Sequence, residues 1–242
     1  GARDEEGDVE FEDSFALGDE ELSAFRRLRF MAMGTSFHSA VLGKLMLEEL
    51  AALPGDTLNA SEFLYSPRLP EEEALTVVIS QSGETADSLR AMREVQARGG
   101  QVLGICNVRG STLDREADHV VLTHCGPEVG VASTKAFFGQ VTALYLLAVR
   151  VGRARGVLDA AAGRRFLDDL RHLRPTLATP FDGQERAAVG RPAGLLEPAP
   201  GCPFPAPSLP YPIAPQRALQ LRAITSIHAH GAPAGARKHD PA

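Results

Sequence analysis

LTVVISQSGETADSL, residues 75–89, is the stretch that decides the fold. Its first five residues form a continuous apolar run, typical of a strand buried on both faces of a parallel sheet, and a helical pattern begins at Glu84. Three hydroxyl side chains and a glycine lie at this junction, within Ser80–Thr85. Unpaired backbone N–H groups at a helix start, together with the helix dipole, favour an anion there. The junction therefore predicts a site for a phosphorylated small molecule; in the alternative interpretation, Ser82 only caps the helix.

The composition is that of a globular chain with an acidic balance. At 242 residues and 44% hydrophobic content, the chain is long enough for one large or two small domains. The net charge of -6 argues against a nucleic-acid partner. The longest apolar stretch, Val141–Val149, is too short to cross a bilayer, and the acidic start GARDEEGDVEFED is unlike a secretory signal. We therefore expect no membrane partner and no targeting signal.

The three cysteines indicate neither a metal site nor a disulfide framework. Cys106, Cys125 and Cys202 are far apart and have no CxxC or Cys/His spacing. The sequence also lacks a P-loop and a GxGxxG fingerprint. We expect no metal, no cofactor and a location in the reducing cytoplasm.

Alternating strand and helix patterns between residues 28 and 153 predict an α/β fold, in which helices flank a parallel sheet. The predicted strands are Leu28–Met33, Leu75–Ser80, Val102–Cys106 and His119–Thr123, with a weaker strand at Asp56–Asn59. The predicted helices are Ser36–Leu53, Glu84–Arg98, Ala132–Arg153 and, after the core, Ala160–Leu173. The Gly99-Gly100 pair is a C-cap signal for the second helix.

Changes in composition divide the chain into four segments. Residues 1–22 form an acidic lead-in that we expect to be flexible, and residues 23–178 form the first domain with its following helix. Residues 179–210 are rich in proline and glycine and resemble a linker without strand or helix. Residues 211–242 carry only weak helical signals followed by small residues.

Three loops that carry hydroxyl side chains follow predicted strands: Gly34–Ser36, Ser80–Thr85 and Gly130–Lys135. In an open parallel sheet, ligands lie outside the carboxyl ends of the strands, so these loops are expected to converge on one pocket. Thr35, Ser133 and Thr134 are also ordinary capping residues, so each loop alone supports either interpretation. Six polar residues nearby are interpreted as structural rather than catalytic: Lys135, His38, His124, Asn107, Asp114 and Glu116.

Five motifs, in this order and spacing, resemble a sugar isomerase (SIS) domain: MGTSFHSA, ASEFLY, VISQSGETADSL, ICNVRGSTLDREAD and GPEVGVASTKAF. More narrowly, they resemble the glutamine-fructose-6-phosphate amidotransferase family, also called glucosamine-6-phosphate synthase. The resemblance runs from about Phe25 to Arg155 and is specific, because other sugar-isomerase families carry different loops at the SQSGETAD and GVASTKAF positions. It implies a flavodoxin-like three-layer sandwich.

The resemblance also implies a set of ligand contacts. It assigns the phosphate to Ser80, Gln81, Ser82 and Thr85, and the sugar to Thr35, Ser36, Val131 and Ser133. Met33 stands where the family often has cysteine, which should affect packing more than binding.

The tail resembles the early part of the family's second SIS domain, beginning at YPIA, residues 211–214. The family isomerises its sugar with a glutamate base and opens the ring with a histidine supplied across a dimer interface. His239 falls on the histidine position, whereas Ala223 stands at the glutamate and Gln220 at a lysine. A methyl group cannot carry a proton. We therefore expect a partial second SIS domain that is poorly ordered and catalytically doubtful.

These observations lead to one expected function and two alternative functions. The resemblance implies a hexose-phosphate-binding SIS domain of an isomerizing aminotransferase in amino-sugar biosynthesis, working as a homodimer. The family joins an N-terminal glutaminase to two SIS domains. This chain shows no glutaminase part and has Ala223 at the position of the isomerase base, so little or no turnover by the chain alone is expected. The alternatives are a non-catalytic sugar-phosphate sensor or assembly module, and a stand-alone sugar-phosphate isomerase.

Overall fold

A computed structural model of the chain describes residues 2–3, 8–12, 14–65, 73–130, 132–178, 201–206, 211–225 and 227–235. The chain divides into two compact units, Gly1–Asp159 and Ala160–Ala242. The helix that follows residue 159 belongs to the second unit, while the segment boundaries expected after residues 22, 178 and 210 stay predictions.

The strands of the first unit are β1 (Ala2–Arg3), β2 (Val9–Glu10), β3 (Arg27–Ala32), β4 (Gly55–Asn59), β5 (Ala74–Ser80), β6 (Gln101–Cys106) and β7 (His119–Leu122). Its helices are α1 (Asp19–Ala24), α2 (Gly34–Ala51), α3 (Ala60–Phe63), α4 (Ala86–Ala97), α5 (Thr112–Glu116) and α6 (Lys135–Ala154). Every strand and helix predicted between residues 28 and 153 is present, with ends shifted by three residues or fewer.

Five parallel strands form the central sheet in the order β4-β3-β5-β6-β7. This is the flavodoxin-like order, in which the first strand lies between the second and the third. The order places the topological switch point between β3 and β5. The predicted fold class is therefore confirmed.

Apolar side chains cover both faces of the sheet. All seven residues of β5 are buried, and successive residues point to opposite faces, so that Val77 packs with Leu47 of α2 and Leu144 of α6. Val78 packs on the other side with Met92 and Val95 of α4. Burial on both faces explains why the strand reads as a continuous apolar run rather than an alternating one.

Residues 8–12 and 14–22 of the lead-in pack against the core of the first unit, and the expected flexibility of the lead-in stays a prediction. Val9 and Leu17 are buried, and the Phe11 and Phe15 rings lie 4.8 Å apart against the same core. Ser14 covers the edge strand β7, since its carbonyl accepts from Val120 N at 2.8 Å and its hydroxyl donates to Val120 O at 3.0 Å. These few apolar residues outweigh the acidic composition around them.

The second unit contains a strand–helix–strand element where the sequence predicted a linker and a poorly ordered fragment. Its elements are α7 (Ala160–Ala178), β8 (Gly201–Ala206), α8 (Ile213–Ile224) and β9 (His228–Pro233), and β8 pairs in parallel with β9. In β8, Pro203 and Pro205 are exposed while Cys202, Phe204 and Ala206 are partly buried. A two-stranded sheet has only edge strands, where proline is tolerated, so the prolines concealed a period of two.

Candidate functional site

The first two hydroxyl-bearing loops begin side by side at the switch point. Ala32, the last residue of β3, pairs with Ile79 near the end of β5, so the two strands finish level. The helices that follow, α2 and α4, cover opposite faces of the sheet. A crevice between two such loops is where open α/β sheets bind ligands.

The second loop folds around the Ser80 hydroxyl. Ser80 Oγ accepts from Gly83 N at 3.1 Å and lies 2.9 Å from Thr85 Oγ1, while Ser82 Oγ accepts from Glu84 N at 3.2 Å. One hydroxyl hydrogen joins Ser80 to Thr85, so the other hydrogen of this pair, like that of Ser82, has no acceptor among the described residues. The loop thus presents two O–H donors for an anion.

The start of α4 lacks the side-chain cap that would compete with an anion. Thr85 occupies the N-cap position, but its hydroxyl does not bond to the N–H groups of the first turn. Ser82 does not cap the helix either, because it accepts from Glu84 N within the loop. The simple capping interpretation is therefore wrong for the described geometry, and the first N–H groups of α4 remain an anion-binding feature.

Gly83 allows the sharp turn of this loop. Its φ of +69° is in the left-handed region, and a Cβ there would lie 2.1 Å from Ser111 Oγ. A second support comes from Glu84, which accepts from Thr112 N at 2.7 Å. That hydrogen bond lowers the pKa of the Glu84 carboxyl and ties the loop to the start of α5.

The first loop carries Thr35 and Ser36 into the first turn of α2. Met33 is the N-cap residue without a side-chain cap bond, and Gly34 has a φ of +53°. Thr35 is partly exposed, whereas Ser36 is almost buried. Ser36 Oγ accepts from Gln140 Nε2 of α6 at 2.9 Å.

The third loop is organised by Glu128, which the sequence interpretation missed. Its carboxylate accepts from Thr134 N at 2.8 Å and from Ser133 Oγ at 3.0 Å, and thus caps the start of α6. Burial works to raise the pKa of Glu128, but the hydrogen bonds from Thr134, Ser133 and Ala136 outweigh it and hold the pKa below its ordinary value. Val131 lies outside the described residues, so its assignment stays a prediction.

The residues interpreted as structural have structural partners. Asn107 Oδ1 accepts from Cys125 N at 2.7 Å, and Asp114 accepts from Gly110 N at 2.6 Å. Glu116 forms a two-pronged pair with Arg93. Lys135 Nζ donates to the carbonyl of Pro127.

His124 lies at the end of β7, where Glu12 of the lead-in joins it to Arg109. The carboxylate is 2.5 Å from His124 Nε2 and accepts from Arg109 at 2.8 Å. The hydrogen bond to His124, with that to Arg109, lowers the pKa of Glu12. These contacts hold the lead-in against the edge of the sheet at β7.

A cavity of about 340 Å³ lies beside this cluster, away from the predicted site. Its walls come from the lead-in, β7 and α6, through Phe11, Glu12, Val121, His124, Gly139 and Leu146 among others. None of the predicted ligand residues lines it. The strand-end loops, which carry the donors for an anion, remain the better candidate.

Two classes of site find no support in the part of the chain that the structure describes. No three His, Cys, Asp or Glu side chains are grouped so that they could hold a metal ion. Likewise, none of the described helices has the length and apolarity that a membrane span requires.

The second unit includes one residue that the sequence related to the family's isomerase chemistry and that the structure describes. Ala223 is an exposed residue of α8, and its correspondence to the family's base stays a prediction. His239 lies outside the described residues, and its ring-opening assignment stays a prediction.

Comparison with known proteins decides the family. The SIS domain family matches residues 21–150, which include β3 to β7 and the three loops. The chain belongs to the SIS domain family. The five-stranded parallel sheet with both faces covered is this domain.

The SIS domain and its tail are similar to part of a larger enzyme. The chain is 42% identical over 221 residues to the glutamine–fructose-6-phosphate aminotransferase (isomerizing) of Symbiobacterium thermophilum, with 91% of this chain and 36% of that protein covered. The Thermus thermophilus enzyme of the same name is 39% identical over 239 residues, with 99% and 38% covered. The chain therefore spans little more than a third of the length of these curated relatives.

Solved structures support the same relationship. The C-terminal domain of glucosamine-fructose-6-phosphate aminotransferase from Francisella tularensis superposes with a TM-score of 0.90 at 31% identity, and the match covers 97% of this chain and 65% of that one. Glucosamine-6-phosphate deaminase from Thermotoga maritima matches with a TM-score of 0.68 at 18% identity, over 90% and 64% of the two chains. The second match shows only a shared fold.

Proposed function

We propose that the SIS domain of this chain binds a hexose phosphate, fructose-6-phosphate or glucosamine-6-phosphate, outside the carboxyl ends of β3 and β5. The proposed phosphate ligands are Ser80, Gln81, Ser82 and Thr85, and the proposed sugar contacts are Thr35, Ser36, Val131 and Ser133. The observation that carries the proposal is the Ser80–Thr85 loop, whose free O–H donors stand before an uncapped α4.

Charge and chemistry favour a small anion at this loop. A phosphate dianion has no hydrogen to donate and can only accept hydrogen bonds. The loop offers it hydroxyl hydrogens and first-turn N–H groups rather than a cluster of lysines. Such a site suits a compact phosphate monoester and agrees with the net charge of -6, which disfavours a polyanion. We infer that the sugar is a hexose because the names of the similar enzymes include fructose-6-phosphate.

Isothermal titration calorimetry tests the proposal directly. We expect saturable binding of fructose-6-phosphate and glucosamine-6-phosphate, and none of fructose, which lacks the phosphate. Ser82→Ala removes one charge-assisted donor and should weaken binding roughly 10- to 150-fold, since such a bond contributes about 1.5 to 3 kcal/mol.

The matched control is Ser23→Ala, an exposed serine at the end of α1 whose hydroxyl donates to Glu20 O. This variant should bind like the wild type. Heats indistinguishable from buffer for both hexose phosphates would contradict the proposal, as would equal losses in Ser82→Ala and Ser23→Ala.

We further propose that the chain is the first SIS domain, with part of a second, of an isomerizing aminotransferase in amino-sugar biosynthesis, cytoplasmic and homodimeric. Ala223 argues against turnover by this chain alone, because the base that moves a proton between sugar carbons is replaced by methyl. In a coupled assay with ammonia and fructose-6-phosphate, we expect no glucosamine-6-phosphate. Measurable product would show that another group acts as the base.

Ala223 also favours a second candidate function, a sugar-phosphate sensor or assembly module. This candidate makes the same binding prediction and differs in what binding changes. Sedimentation of the chain with and without fructose-6-phosphate separates the two, because a sensor should change its association state on binding. An unchanged sedimentation profile would contradict the sensor function and would agree with a domain that only binds the sugar phosphate.

A further inference from the structure

A buried polar bridge connects the starts of α2 and α6. Gln140 of α6 is 2% exposed, and it meets Ser36 and Ser39 of α2, which are 9% and 0% exposed. Gln140 Nε2 donates to Ser36 Oγ at 2.9 Å, and Gln140 Oε1 lies 3.0 Å from Ser39 Oγ. The Ser39 hydroxyl hydrogen also faces Ser36 O at 2.7 Å. Each of the three side chains therefore has at least one hydrogen-bond partner, although the single Ser39 hydrogen can serve only one of its two acceptors.

The surroundings of this bridge are those of a close apolar helix contact. At Gly43, one turn along α2 from Ser39, a Cβ would lie 2.8 Å from Leu144 of α6. An apolar side chain at residue 140 would suit such a contact without the cost of burying an amide. Packing alone therefore does not explain glutamine at this position.

Hydrogen-bond roles supply an explanation. A serine hydroxyl has one hydrogen to donate, and Gln140 occupies an acceptor position of Ser36 by donating to it. Among the described residues, no acceptor takes the Ser36 hydrogen, so it remains to be donated to a ligand oxygen. With the amide reversed, Gln140 would accept that hydrogen and Ser36 could no longer donate.

We propose that Gln140 is a positioning residue that holds Ser36 as a hydrogen-bond donor toward the hexose phosphate. The inference rests on the proposed function and adds to it a residue that does not itself contact the ligand. Because α6 begins at the third loop and α2 at the first, the same amide also holds the two loops in a fixed relation.

Two substitutions test this role by calorimetry with fructose-6-phosphate. Gln140→Met keeps the length and volume of the side chain but cannot donate, and should weaken binding about tenfold, the effect of one hydrogen bond of about 1.4 kcal/mol. Gln140→Glu places an acceptor against Ser36 when the introduced carboxyl is ionised, and should weaken binding more. Gln96→Met is the control and should bind like the wild type, since it makes the same change near the end of α4, where Gln96 Nε2 donates to Glu116 O.

The pH dependence separates positioning from mere packing. From about pH 8 to about pH 5.5, the affinity of Gln140→Glu relative to wild type should recover, because burial raises the pKa of the introduced carboxyl and its protonated form can donate to Ser36. The ratio to wild type cancels the titration of the ligand's phosphate. The relative affinity of Gln140→Met should not change with pH.

The outcomes are distinct. If the wild type binds fructose-6-phosphate and both Gln140 variants bind it as tightly as the wild type, the positioning role is overturned. It is also overturned if the affinity of Gln140→Glu relative to wild type does not change with pH. If Gln140→Met does not fold, the Gln140→Glu ratio alone decides. If the wild type does not bind, the proposed function fails, and the role of Gln140 in it fails for that separate reason.

Discussion

Gly83→Ala should destabilise the first unit more than the same substitution at a glycine where a Cβ would meet no other atom. The φ of +69° costs a residue with a Cβ about 1 to 2 kcal/mol. The new Cβ would also lie 2.1 Å from Ser111 Oγ and 2.6 Å from Ser111 Cβ. Rotation of Ser111 can move its Oγ but not its Cβ, so the backbone of one loop must shift, which adds about 1 to 3 kcal/mol. We expect a total loss of roughly 2 to 5 kcal/mol of unfolding free energy.

Gly99→Ala is the matched control. Gly99 follows α4 with a φ of +80°, and a Cβ there meets no atom within 4 Å. This variant should therefore lose only the conformational part, about 1 to 2 kcal/mol. The difference between the two variants isolates the contact with Ser111.

Urea unfolding followed by far-ultraviolet circular dichroism measures both losses. The transition of the first unit is the relevant one, since two compact units need not unfold together. Gly83→Ala should also abolish fructose-6-phosphate binding under conditions where it is folded, because the Gly83 N to Ser80 Oγ bond shapes the loop. Equal losses of stability in Gly83→Ala and Gly99→Ala would refute the reasoning.

Three further predictions concern the loops around the site. Asn107→Ala removes the acceptor of two hydrogen bonds, at 2.7 and 3.0 Å, and should lower the unfolding free energy by about 1 to 3 kcal/mol in the same assay; no change would contradict this. Glu128→Gln should destabilise by about 1 kcal/mol at neutral pH. Because hydrogen bonds hold the folded pKa of Glu128 below its ordinary value, its stabilisation is present above the ordinary pKa of a glutamate and is lost as pH falls through the folded pKa. The two proteins should therefore become equally stable in acid; a constant difference would refute it. Glu12→Gln should speed hydrogen exchange at Val120 N, which bonds to the lead-in, and unchanged exchange would show that the cluster does not hold it.

The sequence was sufficient to predict the central sheet because burial on both faces leaves a simple signal. The apolar run Leu75–Ile79 and the helical pattern after Glu84 correspond to β5 and α4 within two residues. The loop hydroxyls were also found, since small polar residues at a strand end indicate their own position. That the first two loops lie side by side at the switch point could not be predicted, because it depends on the order of the strands in the sheet, which sequence patterns do not contain.

Other features depend on partners distant in sequence and were missed for that reason. Gln140 looks like one polar residue of an amphipathic helix until Ser36, 104 residues earlier, is placed against it. Glu128 could have been suspected as a capping acid, because it precedes the start of α6 by a few residues. In β8, the prolines dominate the local pattern, and only pairing with β9 reveals a strand.

Chemical-shift mapping by nuclear magnetic resonance tests the central claim most directly. On titration of the chain with fructose-6-phosphate, the largest amide changes should fall on residues 80–86, with smaller changes at Thr35 and Ser36, and fructose should produce none of them. Changes confined to the cavity beside β7, or no changes at all, would contradict a hexose-phosphate site at the Ser80–Thr85 loop.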